Sequence, residues 1–145
     1  MCVEKAKYFL ENIKEDYIED NHMQFRHFAI MFDRNMEFIY GTNRPCISRG
    51  KYSIHAEEDV LRRFSKLNNH KKKKYQIMIL RVTDKGNLCD SRPCIHCLRL
   101  IKESGIRVVH YSTRNRDINR EKITNMYDSI ENKYSSGVRH LMKNR

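Results

Sequence analysis

Residues 75–111 read YQIMILRVTDKGNLCDSRPCIHCLRLIKESGIRVVHY, and this stretch decides the fold. Residues 75–82 form a short, nearly continuous apolar run, the pattern of a central strand covered on both faces. The polar, glycine-containing residues 84–92 read as a loop. Pro93 then opens a helix over 94–103, since proline is tolerated in a first turn. Gly105 stops that helix, and residues 106–111 return to strand composition. Upstream, residues 54–67 predict a helix whose buried face carries Val60, Leu61, Phe64 and Leu67, preceded by a polar loop over 43–53. Residues 27–33 and 37–42 predict two strands joined by a turn at Asp33-Arg34-Asn35. Residues 3–20 place Val3, Tyr8, Leu10, Ile13 and Tyr17 at helical intervals. Downstream, 120–127 reads equally as a fifth strand or a helix start, and 129–145 as helix. The alternation predicts an α/β fold: about five strands in a mixed sheet, with helices packed on it.

The chain has 145 residues, which suits one domain, with 39% hydrophobic residues for its core. No apolar run approaches the ~20 residues that span a bilayer, and the first residues lack the apolar stretch of a secretory signal. An intracellular protein without a membrane partner is the expectation. Against 18 Asp+Glu stand 29 Lys+Arg, a net charge of +11, and residues 1–20 carry −3 of that balance. The basic residues concentrate in segments 62–74 and 114–145. Such segments attract polyanions through counterion release, and they also serve simple solubility.

The chemistry lies in two short motifs. Five cysteines in a chain of this kind do not suggest a disulfide framework. Cys94 and Cys97, in Pro93-Cys94-Ile95-His96-Cys97, share one face of the first turn of a helix, where unpaired amides and the dipole favour thiolates. Alone, the pair reads as half of a structural zinc site or as a redox pair. His55-Ala56-Glu57 opens another helix that also follows a strand and a loop. His55, Cys94 and Cys97 together give three donors, which leaves a zinc ion's fourth position for water, as in catalytic sites. A structural site would need a fourth ligand from Cys46, Cys89 or a remote histidine. Glu57, two residues from His55, can reach a zinc-bound water without binding the metal.

H-A-E followed by P-C-x-x-C resembles the zinc-dependent cytidine and deoxycytidylate deaminase superfamily. The likeness runs from about His27 to Ser112 and includes Gly41-Thr42-Asn43 and the strand over 105–109. It implies a cytidine-deaminase-like three-layer sandwich with helices on both faces of the sheet. It also implies one catalytic zinc on His55, Cys94 and Cys97 and a proton shuttle at Glu57. The Ala56 amide would hold the base's carbonyl, the Arg92 carbonyl would accept from the departing amino group, and Asn43 would bond the sugar or base. The Arg92 guanidinium is the expected contact for a substrate phosphate.

These readings predict a single deaminase domain over 1–145: a helix over 1–20, a catalytic core over about 24–112 and an extension over 113–145. The expected activity converts cytosine to uracil in a nucleoside or nucleotide such as cytidine or dCMP. Alternatives are single-stranded DNA or RNA held by segments 62–74 and 114–145, then adenosine in tRNA, then an inactive nucleic-acid-binding protein of the same fold. Whether the chain forms a homo-oligomer is left open.

Overall fold

The computed structural model describes residues 2–14, 25–45, 53–67, 75–83 and 85–126. Helix α1 (Cys2–Lys14) precedes strands β1 (Phe25–Phe32), β2 (Phe38–Thr42), β3 (Arg44–Pro45) and β4 (Ser53–Ile54). Helix α2 (Ala56–Ser65), strands β5 (Gln76–Thr83) and β6 (Leu88–Cys89), helix α3 (Ile95–Glu103) and strands β7 (Val108–Ser112) and β8 (Ile118–Lys122) complete the order. The main sheet runs β2-β1-β5-β7-β8, with β6 attached to β5, while β3 and β4 pair separately. β5 and β7 are parallel, with Ile77 opposite Val109, as their connection through a helix requires. The other neighbours are antiparallel.

The apolar run of β5 is buried on both faces, as its composition predicts. Ile77 and Ile79 join one core cluster with Ala29, Val60, Phe64, Leu98 and Ile101, beneath α2 and α3. Met78, Leu80 and Val82 join a second with Ala6, Phe9, Ile13 and Phe32, beneath α1. A side chain buried this fully stabilises by roughly 1.5–3 kcal/mol, so one strand anchors both helical layers. The result is three layers, α1 | sheet | α2 and α3. On α1 the buried stripe is Ala6, Phe9 and Ile13, and Tyr8, expected within it, is 44% exposed. Phe9 takes the central place, with ring centroids 5.2 Å from Phe32 and 5.0 Å from Phe38. Tyr17 and the rest of the predicted helix beyond residue 14 lie outside the described residues.

Both readings of residues 120–127 hold in part. Residues 118–122 are the edge strand β8, and 123–126 begin a helical turn. The edge of the sheet therefore comes from the segment expected to be an extension. Its turn has a form that recurs in the chain. In Asp33–Glu37 the first residue's N–H donates to the fifth carbonyl at 3.1 Å, the fourth N–H donates to the first carbonyl at 3.2 Å, and Met36 takes φ 63°. Thr113–Asp117 repeats this with 2.9 Å, 3.1 Å and Arg116 at φ 60°. The loop from Thr83 to Asn87 repeats it with Gly86 at φ 85°. Only Gly86 adopts the left-handed conformation without steric cost.

Candidate active site

The carboxyl ends of the parallel strands β5 and β7 mark the end of the sheet where ligands usually bind in α/β folds. Helices α2 and α3 both start there. Their N-cap residues, His55 (φ −71°, ψ 152°) and Cys94 (φ −69°, ψ 166°), have extended backbones and make no side-chain cap bond. N-caps are normally Ser, Thr, Asp or Asn, whose oxygens satisfy a free helical amide. Here the cap carbonyls still accept the first helical bonds, from Asp59 N–H at 3.0 Å and Leu98 N–H at 2.9 Å. The side chains turn instead toward each other. Pro93, predicted inside the first turn, stands one residue ahead of the cap and fixes the entry of the chain.

The side chains of His55, Cys94 and Cys97 bring one donor atom each to within 4.8 Å of one another. His55 Nδ1 lies 3.3 Å from Cys97 Sγ. Tetrahedral zinc at ordinary N and S bond lengths separates two such donors by about 3.5 Å, so the spacing fits one zinc ion. Hydrogen bonding from the Cys97 thiol lowers the Cys94 pKa to about 5, assisted by backbone amides and opposed by burial. The same contact, together with burial, pushes the Cys97 pKa up. No acidic residue occupies the first turn of α3, which leaves that helix's amide-rich start to the two sulfurs. Two soft thiol donors and an imidazole are the donor chemistry that zinc selects. Among the described residues no fourth His, Cys, Asp or Glu joins the set. Cys89 directs its sulfur to the Asn87 carbonyl at 3.8 Å, and Cys46 lies outside the described residues.

Glu57 is 6% exposed. Burial raises its carboxyl pKa, while hydrogen bonding to the Cys97 thiol acts against the rise. The seating of α2 places it there. A Cβ on Gly41 would stand 2.4 Å from Val60 N and 2.7 Å from Ala56 O, so only glycine lets the helix backbone touch β2. Asp59, buried, accepts the Thr42 N–H at 3.1 Å and locks the same contact. Glu58 faces Arg62 at 3.7 Å and the exposed His96 at 3.8 Å, linking the two helix starts. Ala56 begins α2, where the first amides have no intrahelical acceptor and are open to a ligand. The Asn43 Oδ1 accepts the His27 N–H at 3.2 Å, which pins its amide against β1.

Arg92 departs from expectation. Its guanidinium donates to Tyr111 Oη at 3.0 Å and to Glu121 Oε2 at 3.2 Å, so its charge is matched by β8 and not offered to a phosphate. The loop carrying its carbonyl is tied down by two buried serines that the motif reading did not single out. Ser91 Oγ donates to the Ile79 carbonyl at 2.7 Å and accepts the Ser112 N–H at 2.9 Å. Ser112 Oγ donates to the Cys89 carbonyl at 2.6 Å and accepts the Arg81 N–H at 3.1 Å. Their only sequence signal is a serine ending the strand at 112 and another two residues before Pro93. The described part of the basic segment 62–74 carries exposed Arg62 and Arg63, which face Glu58 and Asp59. Residues 68–74 and 127–145 lie outside the described residues.

The family described as the cytidine and deoxycytidylate deaminase zinc-binding region matches residues 3–113. A cytidine deaminase structure from Burkholderia pseudomallei is similar with a TM-score of 0.58 and 16% identity, covering 83% of this chain and 94% of that one. One from Mycobacterium leprae has a TM-score of 0.49 at 16% identity, covering 83% and 91%. No curated protein sequence matches. No helix among the described residues is long and apolar enough to cross a membrane.

Proposed function

We propose, for a chain that belongs to the cytidine and deoxycytidylate deaminase family, hydrolytic conversion of cytosine to uracil in a free nucleoside or nucleotide such as cytidine or dCMP. The observation that carries this reading is the buried Glu57 carboxyl set against a three-donor cluster. A purely structural metal would need its ligands but no such carboxylate. Bound zinc on His55, Cys94 and Cys97 supplies Lewis-acid activation of water near neutral pH. Glu57 takes one proton of the attacking water and passes it to the ring nitrogen, then takes the second from the oxygen now bonded to the ring carbon and passes it to the departing amine, so that cytosine and water become uracil and ammonia. Its burial favours this work, because raising a carboxyl's pKa makes its carboxylate a stronger proton acceptor. The Ala56 N–H holds the base's carbonyl, the Arg92 carbonyl accepts from the amino group, and Asn43 bonds the sugar or base.

The test presents zinc-loaded protein with cytidine, CMP, deoxycytidine, dCMP, single-stranded DNA, RNA and tRNA, and follows cytosine-to-uracil and adenosine-to-inosine conversion. Turnover of the cytosine monomers is the expected result. Turnover of strands alone, or of adenosine in tRNA alone, would overturn it.

A further inference from the structure

The connection into α3 is held at consecutive residues. Ser91 Oγ donates to the Ile79 carbonyl, which fixes the chain to β5. Pro93 fixes its own φ and keeps Arg92 out of the helical region. Between them, the Arg92 side chain reaches the far edge of the sheet. Its guanidinium donates to Glu121 Oε2 at 3.2 Å and to Tyr111 Oη at 3.0 Å, and stands over the Tyr111 ring, 5.6 Å from its centroid. Tyr111 Oη in turn donates to the same Glu121 oxygen, and Asn119 Nδ2 donates to the phenol at 3.4 Å. Register makes this meeting possible: β8 sets Asn119 opposite Tyr111 and Glu121 opposite Val109, on the face that carries the core beneath α2 and α3.

An ion pair whose side chains are 26% and 32% exposed adds little to the stability of a fold. This one matters through what it is attached to. Arg92 stands two residues before Cys94, with a proline between them, so few torsions can absorb a shift of Arg92. Any such shift is passed on to the Cys94 sulfur and to the Arg92 carbonyl. We propose that Glu121 is a positioning residue of the zinc site, holding Arg92 so that the Cys94 donor and the Arg92 carbonyl stand where metal and substrate need them. The carbonyl's part rests on the deaminase reading above, and the sulfur's part rests on the donor cluster alone. Glu121 lies beyond residues 3–113, the stretch that matches the family, so the support comes from a strand outside the matched region.

The experiment measures zinc affinity by competition with a chromophoric chelator, the visible spectrum of the cobalt-loaded protein, and kcat and KM for cytidine and dCMP per bound zinc. Glu121→Ala should weaken zinc binding about tenfold, the lower end for groups that orient metal ligands, and should shift the cobalt–thiolate bands. It should lower kcat per bound zinc about tenfold or more with little change in KM, because the Arg92 carbonyl meets the amino group as it departs. In an Arg92→Met background the same change should cost less than about twofold, since the contact it removes is already gone. Glu121→Gln keeps an acceptor for Arg92 and should recover much of the loss. A purely structural contact would lower the thermal midpoint and leave the cobalt spectrum and kcat per zinc unmoved. Unchanged zinc affinity, an unchanged cobalt spectrum, an unchanged kcat per zinc, or an equal loss with and without Arg92 would each overturn the assignment. If the parent turns over no cytosine monomer, the deaminase reading fails, and the zinc and cobalt measurements still decide the role of Glu121.

Discussion

The starts of α2 and α3 are built on one backbone plan and loaded with opposite chemistry. Each has an extended N-cap whose side chain abandons capping, and each lies at the same end of the sheet. The first turn of α2 holds Glu57, Glu58 and Asp59, whereas that of α3 holds no acid. Acids near a helix start are stabilising, so α2 recovers what its missing cap gives up. In α3 the same electrostatic position is left to the sulfurs, and the Cys94 thiol pKa falls to about 5. The difference teaches a division of labour: α3 supplies the two sulfur donors, and α2 supplies one imidazole and the carboxylate to which the proposed reaction assigns proton transfer.

The harshest way to break this comparison is to remove a donor from α3. Cys97→Ala should abolish zinc retention, measured by elemental analysis, and reduce ammonia release by roughly a thousandfold or more, because water activation is lost. The α2 side is tested at its seat. Gly41→Ala places a methyl group against helix backbone and should cost about 3 kcal/mol in urea unfolding, at the upper end of ordinary overpacking. It should also depress kcat, since Glu57 rides on the helix that must shift.

A control on the far face sharpens the contrast. His110, 2% exposed beneath α1, has its pKa lowered to about 4, mainly by burial and then by Arg120 and Lys5. The unfolded chain binds this proton below pH 6.5 and the folded chain only below about 4. Stability is therefore complete above pH 6.5 and declines as pH falls through that window. His110→Gln should remove about 2–3 kcal/mol of the stability difference between pH 7 and pH 4.5 while leaving zinc content unchanged. The smallest effect belongs to the turn that joins β7 to β8. Arg116→Gly should stabilise by up to about 1 kcal/mol in thermal unfolding, because φ 60° strains any residue but glycine.

The sequence was most legible where period and chemistry agreed. The β5 run, the Val60/Leu61/Phe64 stripe, the Gly105 stop and the three zinc donors all stand where their patterns put them. The reading weakened where a local rule is broken. Thr113–Asp117 turns the chain without glycine or proline, so strand β8 was blurred into the turn that follows it. On α1, Tyr8 is hydrophobic enough to read as core, but Phe9 fills that place. Motif spacing located the ligands and said little about what positions them. The Ser91–Ser112 pair and the engagement of Arg92 by Glu121 depend on register between distant strands. That register is set by packing of the whole sheet.

The central claim is that His55, Cys94 and Cys97 hold the metal while Glu57 moves protons, and one variant tests it directly. Glu57→Ala should keep about one zinc per chain by elemental analysis. Its ammonia release from the preferred cytosine substrate should fall by roughly 10² to 10⁴-fold, the range of general acid–base catalysis. Activity within a few-fold of the parent, or loss of zinc together with activity, would contradict the account.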